Sequence, residues 1–251
     1  MSRLRIGLAL ARSLAIYYGV PFRARRLRSF YRQFVPPGSL CFDIGAHVGN
    51  RIRCWRSLGA RVVAAEPHPD LLRFLRLLYG ADPAVHLVPS ALGRAPGTAP
   101  LLVDEGNLTV STLSADWVER VSADPSFDGL RWQRVSETTV TTLDELIARF
   151  GEPAFVKIDV EGFEAEVLAG ASRPLRALSF EYLECALELA LDCLDRLAQL
   201  GPYHYNWSRG ESHGLVSAGW IDADGMRRLV ERAELGGGSG DIYARRVEPG
   251  D

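Results

Sequence analysis

Three charged side chains alternate with apolar residues in the segment FVKIDVEGFE, residues 155–164. Alternate residues of a strand point to the same face, so Lys157, Asp159 and Glu161 would lie together on one face where a buried strand meets a helix. Charges in such a setting are costly unless they are paired or take part in chemistry. Lys157 is also the only lysine beside 28 arginines. An internal ion pair and a catalytic role both explain a compact ammonium group there.

A second candidate site is the turn FDIGAHVGN, residues 42–50, which follows a predicted strand and opens a helix. Turns at this position of parallel α/β sheets bind ligands. Gly45 would let the backbone pass close beneath a ligand, and Gly49 would let helix and strand approach. The spacing lacks the G-x-G-x-x-G fingerprint of dinucleotide sites, which favours a cofactor without phosphates. Asp43, Ala46 and His47 complete the candidate cofactor-binding residues of this turn.

An acidic residue, Glu66, ends the next predicted strand, 17 residues beyond Gly49. A carboxylate at this position can accept both hydroxyls of a ribose, and Pro67 restricts its backbone. Capping of the following helix is the alternative role. Ser90 and Ala91, at the end of the third strand, would leave room for an adenine ring.

Together these features describe a nucleoside site with a cation nearby. Glu66 would hold the sugar, and the Asp43 carboxylate would either fix the helix turn or bind the amino group of a zwitterionic cofactor. S-adenosylmethionine has all of these groups, because it is a nucleoside that carries an amino acid on a sulfonium ion. We therefore predict S-adenosylmethionine as the cofactor.

Apolar runs and helical stretches alternate along the chain, a rhythm that indicates a parallel, doubly wound α/β sheet. Strands are predicted at residues 39–44, 61–65, 85–91, 154–160 and 177–183, and helices at 51–58, 69–79, 143–150, 163–169 and 185–200. Inserted hairpins or a lid are expected at 97–140, and an antiparallel pair of strands, 203–207 and 241–245, is expected to close the sheet.

Residues 1–34 carry eight arginines and no carboxylate, whereas the rest of the chain sums to a charge of −10. We divide the chain into an Arg-rich helical extension, residues 1–35, and a main domain, residues 36–250. The acidic main domain argues against nucleic-acid binding. The extension, with helices at 3–18 and 22–34, is predicted either to pack as a solvated helix or to contact an anionic membrane or another phosphate-bearing surface.

The composition, 47% hydrophobic and 24% charged, is that of a folded globular chain. Four cysteines without C-x-x-C spacing indicate reduced thiols rather than disulfides or zinc ligands. Arg12 interrupts the apolar run 4–20, and no cleavage site follows it. A cytoplasmic protein is therefore expected.

Six motifs occur in an order that resembles the FkbM family of S-adenosylmethionine-dependent methyltransferases: FDIGAHVGN, AAEPHP, PSALG, NLTVSTL, VTTLDELI and FVKIDVEGFEAEVLAGA. The similarity extends from about residue 37 to about residue 183. It implies a Rossmann-like class I methyltransferase fold, with a mostly parallel seven-stranded sheet, helices on both faces and a reversed last strand. It also implies methyl transfer mostly to oxygen. The family usually has asparagine where this chain has His47, which would act as a local acid or base or cap the turn.

Carboxylates near the predicted acceptor are the candidate catalytic groups. Asp159 or Glu161 would be the general base or the orienting group, with Glu181 of the neighbouring strand as a partner. Lys157 completes the candidate catalytic residues. Asp159 and Glu181 would alternatively bind a divalent metal ion, but a third ligand is not evident, so no metal site is predicted.

The predicted acceptor is a hydroxyl of a small molecule, a sugar or glycan, or a polyketide-type natural product. A carboxylate acceptor would need no base, so ester formation is an alternative. His204 and His213 are reserve bases, and the aromatic residues around His204 would line a pocket for a sugar or polyketide ring. A non-catalytic adaptor that keeps the cofactor pocket is a further alternative. A nicotinamide-dependent reductase is disfavoured, because its third glycine and its Tyr-x-x-x-Lys pair are missing.

Overall fold

A computed structural model describes residues 3–104 and 106–247 of the chain. Residues 1, 2, 105 and 248–251 lie outside the described part, and they include the outer ends of the two predicted domains, 1–35 and 36–250. The division into these two domains stays a prediction.

Helices and strands alternate in the described part of the chain. The helices are α1 (Arg3–Tyr18), α2 (Arg23–Tyr31), α3 (Asn50–Ser57), α4 (Pro69–Tyr79), α5 (Ala115–Val121), α6 (Leu143–Phe150), α7 (Glu164–Ala169), α8 (Leu187–Leu200) and α9 (Ala223–Glu231). The strands are β1 (Leu40–Ile44), β2 (Arg61–Ala65), β3 (Val85–Val88), β4 (Ala91–Leu92), β5 (Gly97–Asp104), β6 (Asn107–Thr112), β7 (Gln133–Thr141), β8 (Phe155–Ile158), β9 (Ala177–Leu183), β10 (Tyr203–Arg209) and β11 (Ser239–Arg246). Short 3₁₀ turns lie at Pro125–Phe127 and Glu184–Ala186.

The main sheet has seven strands in the order β10-β11-β9-β8-β1-β2-β3. Neighbours from β9 to β3 pair in parallel, whereas β11 runs antiparallel to both β9 and β10. This arrangement is the predicted Rossmann-like class I methyltransferase sheet with its last strand reversed. The carboxyl ends of its parallel strands meet at one edge, where open α/β sheets bind their ligands.

Helices cover both faces of the main sheet, so β1 is buried along its whole length. Alternate residues of each strand enter different cores. Phe42 and Val63 pack with α6 to α9 on one face, whereas Cys41 and Val62 pack with α2, α3 and α4 on the other. The near-continuous apolar runs that predicted these strands follow from this double coverage.

The segment predicted as inserted hairpins or a lid forms a second, four-stranded sheet in the order β4-β7-β5-β6. Strand β6 pairs only with β5 among the described strands, so it is an edge of this sheet. Helix α1 packs beside it, and Ala9 of the helix shares a small core with Val48, Leu71 and Leu108. The extension therefore lies against the start of the main domain and the inserted sheet.

Two predicted strand ends are wrong for local backbone reasons. Strand β8 ends at Ile158 rather than at residue 160, because Glu161 and Gly162 adopt left-handed conformations, with φ of 54° and 82°, that leave the strand direction. Strand β3 ends before Pro89, which has no N–H to donate to a ladder. Ala91 instead begins β4 in the second sheet.

The expectation of an aromatic acceptor pocket in β10 is wrong. Tyr203, Tyr205 and Trp207 are buried in the core of the main sheet. His204 lies near the amino end of β10, and β10 runs parallel to β9 through the shared antiparallel neighbour β11, so this residue is at the edge opposite the glycine turn. It is not placed to act as a base there.

All four cysteines are free thiols, as predicted, and three of them are buried. Within residues 3–104 and 106–247, the structure contains no helix with the length and apolar character needed to cross a bilayer.

The close approach of β1 and β8 gives a first prediction. Gly45 has a φ of 82°, and a Cβ at this position would overlap the main-chain oxygen of Asp159. We expect Gly45→Ala to lower the free energy of unfolding by about 2–4 kcal/mol in urea titrations. Gly97→Ala is the matched control, because a Cβ there meets open space. Equal stability of both variants would contradict the packing described here.

Candidate active site at the carboxyl edge of the sheet

A cleft lies at the carboxyl ends of β1 and β2, under the edge strand β6. Many of the predicted site residues line it, from four separate parts of the chain: Gly45, His47, Glu66, Pro67, Ser90, Ala91, Asp159 and Glu161. Leu108, Thr109, Ser111, Thr112, Leu113 and Phe163 also line it.

Glu66 holds the glycine turn in place. Its Oε2 accepts the main-chain N–H of His47 at 2.8 Å, and its Oε1 accepts that of His68 at 2.8 Å. Each carboxylate oxygen keeps a second lone pair, so these bonds are compatible with the predicted ribose contact. Capping of helix α4, the alternative role predicted for Glu66, is performed by His68. The His68 side chain accepts a hydrogen bond from the main-chain N–H of Asp70 at the start of α4.

His47 is fixed between the turn and α1. Its Nε2 lies 3.3 Å from the hydroxyl of Ser13, and the ring of Tyr17 meets it edge-on. Burial lowers the pKa of His47 to about 4, so the imidazole is neutral near pH 7. A neutral ring held by α1 agrees better with a structural role in the turn than with a proton-transfer role.

Three predicted cofactor residues do not line the cleft. Ala46 is buried in the core below it. Gly49 was predicted to let a helix approach a strand. It lies instead against the side chains of Leu75 and Tyr79, so the absence of a Cβ allows helix α4 to approach the turn. Asp43 lies just before the turn and is 2% exposed.

Asp43 carries an unsatisfied acceptor. Its Oδ2 is buried without a hydrogen-bond partner among the described residues. Burial raises its pKa to about 7, against the opposing effect of the nearby Arg51 guanidinium. An unpaired buried carboxylate oxygen is costly unless a donor reaches it, and the ammonium group of a zwitterionic cofactor is such a donor.

Lys157 forms the internal ion pair that was the alternative to a catalytic role. Its Nζ lies 2.7 Å from Oδ1 of Asp241 and 3.2 Å from Oδ2 of Asp159, and it donates to the carbonyl oxygen of Ile158. The side chain is 1% exposed, and its pKa is raised well above the usual value, since the two carboxylates outweigh burial. Lys157 therefore positions Asp159 rather than exchanging protons.

Asp159, Glu161 and Glu181 form what we call the carboxylate cluster. One oxygen from each lies within 4.8 Å of the others, although Glu161 has left the strand on which the three predicted charges were expected to alternate. Burial raises the pKa of Glu161 and Glu181 well above the usual value, and neighbouring carboxylates raise it further. Glu161 thus supplies the third oxygen ligand that the metal alternative lacked, although carboxylates also cluster without a metal ion.

The loop that carries Glu161 is held from two sides. The hydroxyl of Thr112, on β6, donates to the carbonyl oxygen of Glu161 at 2.6 Å. The N–H of Val160 donates to Oε1 of Glu164 at 3.0 Å. Thr112 and Glu164 therefore fix the carboxylate cluster relative to the cleft, and Glu164 was not predicted as a site residue.

His213 lies in the loop after β10, within 3.4 Å of Glu211. Burial lowers its pKa to about 4, so it is neutral near pH 7. It is not among the residues that line the cleft. Of the two reserve bases, only His213 lies at the carboxyl edge.

Residues 43–201, more than half of the chain, match the family described as the methyltransferase FkbM domain. The chain belongs to the FkbM methyltransferase family. The family uses S-adenosylmethionine, so the matched segment is an S-adenosylmethionine-dependent methyltransferase domain. The contacts of Glu66 with the ribose and of Asp43 with the ammonium group of that cofactor stay predictions.

The hexuronic acid methyltransferase AglP of Haloferax volcanii is 31% identical over an alignment of 154 residues that covers 57% of this chain and 54% of that protein. The chain thus spans about half the length of this curated relative. Among solved structures, a TehB-like methyltransferase from Corynebacterium glutamicum has a TM-score of 0.48 at 13% identity, with 94% of each chain covered. An O-methyltransferase from Bacillus cereus has a TM-score of 0.43 at 12% identity, with 98% of this chain and 92% of that chain covered.

Removal of the buried ammonium group gives a second prediction. Lys157→Met keeps the volume of the side chain but leaves Asp241 and Asp159 without their partner. We expect urea titration to show a loss of about 3–5 kcal/mol in the free energy of unfolding. The control is Arg94→Gln, which breaks an exposed pair with Glu166 and should leave stability near the wild-type value. A Lys157→Met variant with the same free energy of unfolding as the wild type would show that the ion pair does not stabilise the fold.

Cofactor affinity should depend on pH. Burial raises the pKa of Glu66, which lines the cleft, to about 7, so this carboxyl is largely protonated at pH 6 and ionised at pH 8. The ionised form accepts the donors of S-adenosylmethionine, and the dissociation constant should fall about tenfold between these pH values in calorimetry. Glu66→Gln should weaken binding and flatten the dependence, whereas the exposed control Glu152→Gln should do neither. A constant affinity from pH 6 to 8 would refute this assignment.

Proposed function

We propose that this protein transfers a methyl group from S-adenosylmethionine to an oxygen atom of a sugar or glycan acceptor, with Glu161 as the general base. One observation carries the assignment of the base. Glu161 lines the cofactor cleft and belongs to the carboxylate cluster, whose other members are held by the sheet. A curated relative named as a hexuronic acid methyltransferase supports a sugar acceptor.

The protein's own groups have separate tasks in this reaction. Bound S-adenosylmethionine supplies an electrophilic methyl group on a sulfonium ion. Glu161 would take the proton of the acceptor hydroxyl while the hydroxyl oxygen bonds to the methyl carbon. The electron pair of the broken carbon–sulfur bond would stay on sulfur. Asp159, held by Lys157, orients the acceptor and stabilises the cationic donor.

The environment of Glu161 makes its ionised form a stronger base. An ordinary glutamate is a weak base, and burial together with the charge of Asp159 raises the pKa of Glu161. Its ionised form therefore accepts a proton more readily than an exposed carboxylate does. Glu181 is the third member of the cluster, and the charge of Glu161 in turn raises the pKa of Glu181.

Methylation of a carboxylate is the second candidate function, because the name of the relative specifies a sugar acid. A hexuronic acid offers hydroxyl groups and a carboxylate on one ring. A carboxylate acceptor is already ionised near pH 7, so transfer to it needs no base. The two reactions therefore differ in their need for Glu161.

The test uses Glu161→Gln with labelled S-adenosylmethionine and with methyl glucoside and glucuronic acid as acceptors. If a hydroxyl is methylated, kcat should fall by roughly 10²–10⁴-fold while the dissociation constant of the cofactor changes little. Glu119→Gln, an exposed change on α5, is the matched control.

Mild alkali identifies the product, because it releases methanol from a methyl ester but not from a methyl ether. An alkali-labile product with full activity of Glu161→Gln would replace hydroxyl methylation by ester formation. Activity that is lost with EDTA and restored by Mg²⁺ would assign the carboxylate cluster to a metal ion instead of a base.

A further inference from the structure

Helix α1 is apolar on two faces. Ala9 and Ser13 are buried against the domain, whereas Leu8 and Ile16 on the other side are 63% and 42% exposed. Helices that are apolar all round are normally covered by protein or lipid. Of the seven large hydrophobic side chains exposed in the described residues, four lie within 15 residues of one another: Leu8, Ile16, Val20 and Phe22.

The turn between α1 and α2 directs an aromatic ring into solvent. Phe22 is 76% exposed and has a φ of 63°, a left-handed conformation that is unfavourable for a bulky residue. The main-chain N–H of Arg26 donates to its carbonyl oxygen at the start of α2. The fold thus maintains an unfavourable backbone conformation at a residue whose side chain is mostly exposed to solvent.

Arginines lie beside two of the exposed apolar residues, Val20 and Phe22. A cavity beside the turn is lined by Arg23, Arg25, Arg28 and Arg53. Arg23 pairs with Glu211, but Arg25, Arg28 and Arg53 form no ion pair with a described carboxylate. No acidic residue lines the cavity in the part of the chain that the structure describes. Guanidinium groups without counter-ions are available to phosphate oxygens.

We propose that this region docks on an anionic lipid surface, with the apolar residues entering the interface and the arginines binding headgroup phosphates. We call it the elbow surface, formed by Leu8, Ile16, Val20, Phe22, Arg25, Arg28 and Arg53. Interfacial helices combine these two features. The charge distribution also orients the molecule. Residues 1–34 carry eight arginines and no carboxylate, whereas the rest of the chain has a net charge of −10. An anionic lipid surface therefore attracts the extension and repels the acidic domain.

Other partners fit less well. A second copy would bring like-charged elbow surfaces together, and the cavity offers no carboxylate to compensate them. The phosphates of a nucleic acid could bind the arginines, but the exposed aliphatic and aromatic side chains would remain in contact with water. An anionic bilayer matches both the charge and the apolar stripe.

The test is co-sedimentation of the full chain with vesicles of phosphatidylcholine alone or with about 30% phosphatidylglycerol. We expect binding to the anionic vesicles only. Phe22→Ser combined with Ile16→Ser should weaken partitioning roughly tenfold, and Arg25→Glu on the order of 20-fold. These side chains are exposed, so thermal unfolding should be unchanged, which separates a docking defect from misfolding.

The matched controls lie outside the elbow surface. Leu77→Ser, on α4 and 82% exposed, and Arg173→Glu, in the turn before β9, should bind like the wild type. Absence of binding to anionic vesicles would overturn the proposal, and so would equal losses in the controls. Complete displacement by millimolar inorganic phosphate would assign the cavity to a free anion instead. Concentration-dependent self-association without vesicle binding would assign the surface to a second copy.

Discussion

The ion pair of Lys157 with Asp241 and Asp159 is the interaction on which the rest of the site depends. It is buried at the carboxyl edge of the main sheet, where β1, β8, β9 and β11 meet. Several carboxylates are concentrated there, and one ammonium group offsets part of their repulsion. Removal of one member of such a pair leaves the others as unpaired buried charges. The geometry of Asp159, and through it that of the carboxylate cluster, therefore follows from a contact between residues far apart in the sequence.

The cleft is assembled from loops that fix one another. Glu66 ties the end of β2 to the glycine turn, and Gly45 brings that turn against the backbone of Asp159. Thr112 joins the inserted sheet to the loop of Glu161. Helix α1 then holds His47 from outside. The cofactor side and the acceptor side are thus parts of one packed unit, and the elbow surface continues directly from the helix that contacts the turn.

Much of the fold could be predicted from local pattern. Strands β2 and β9 and helices α4 and α6 have the predicted bounds, because apolar runs or helical periodicity and terminal Gly, Pro or Thr residues mark them. It was also predictable that the candidate cofactor residues at strand ends would lie close together, since a parallel sheet brings those ends to one edge. The family resemblance added the reversed strand.

What could not be predicted depends on contacts distant in sequence. Asp241 follows Lys157 by 84 residues and becomes its partner only through the pairing of β11 with β9. The left-handed conformation of Glu161 places it outside the strand on which it was predicted. The loop nevertheless positions its carboxylate within 4.8 Å of that of Asp159. Ala46 lies in the right turn but points into a core that only the packed helices create.

The most direct test of the account is a crystal structure with S-adenosylhomocysteine bound. The account predicts the ribose beside Glu66, the amino acid group near Asp43 and the sulfur directed toward Asp159 and Glu161. A ligand outside this cleft, or a sulfur atom that faces away from the carboxylate cluster, would contradict it.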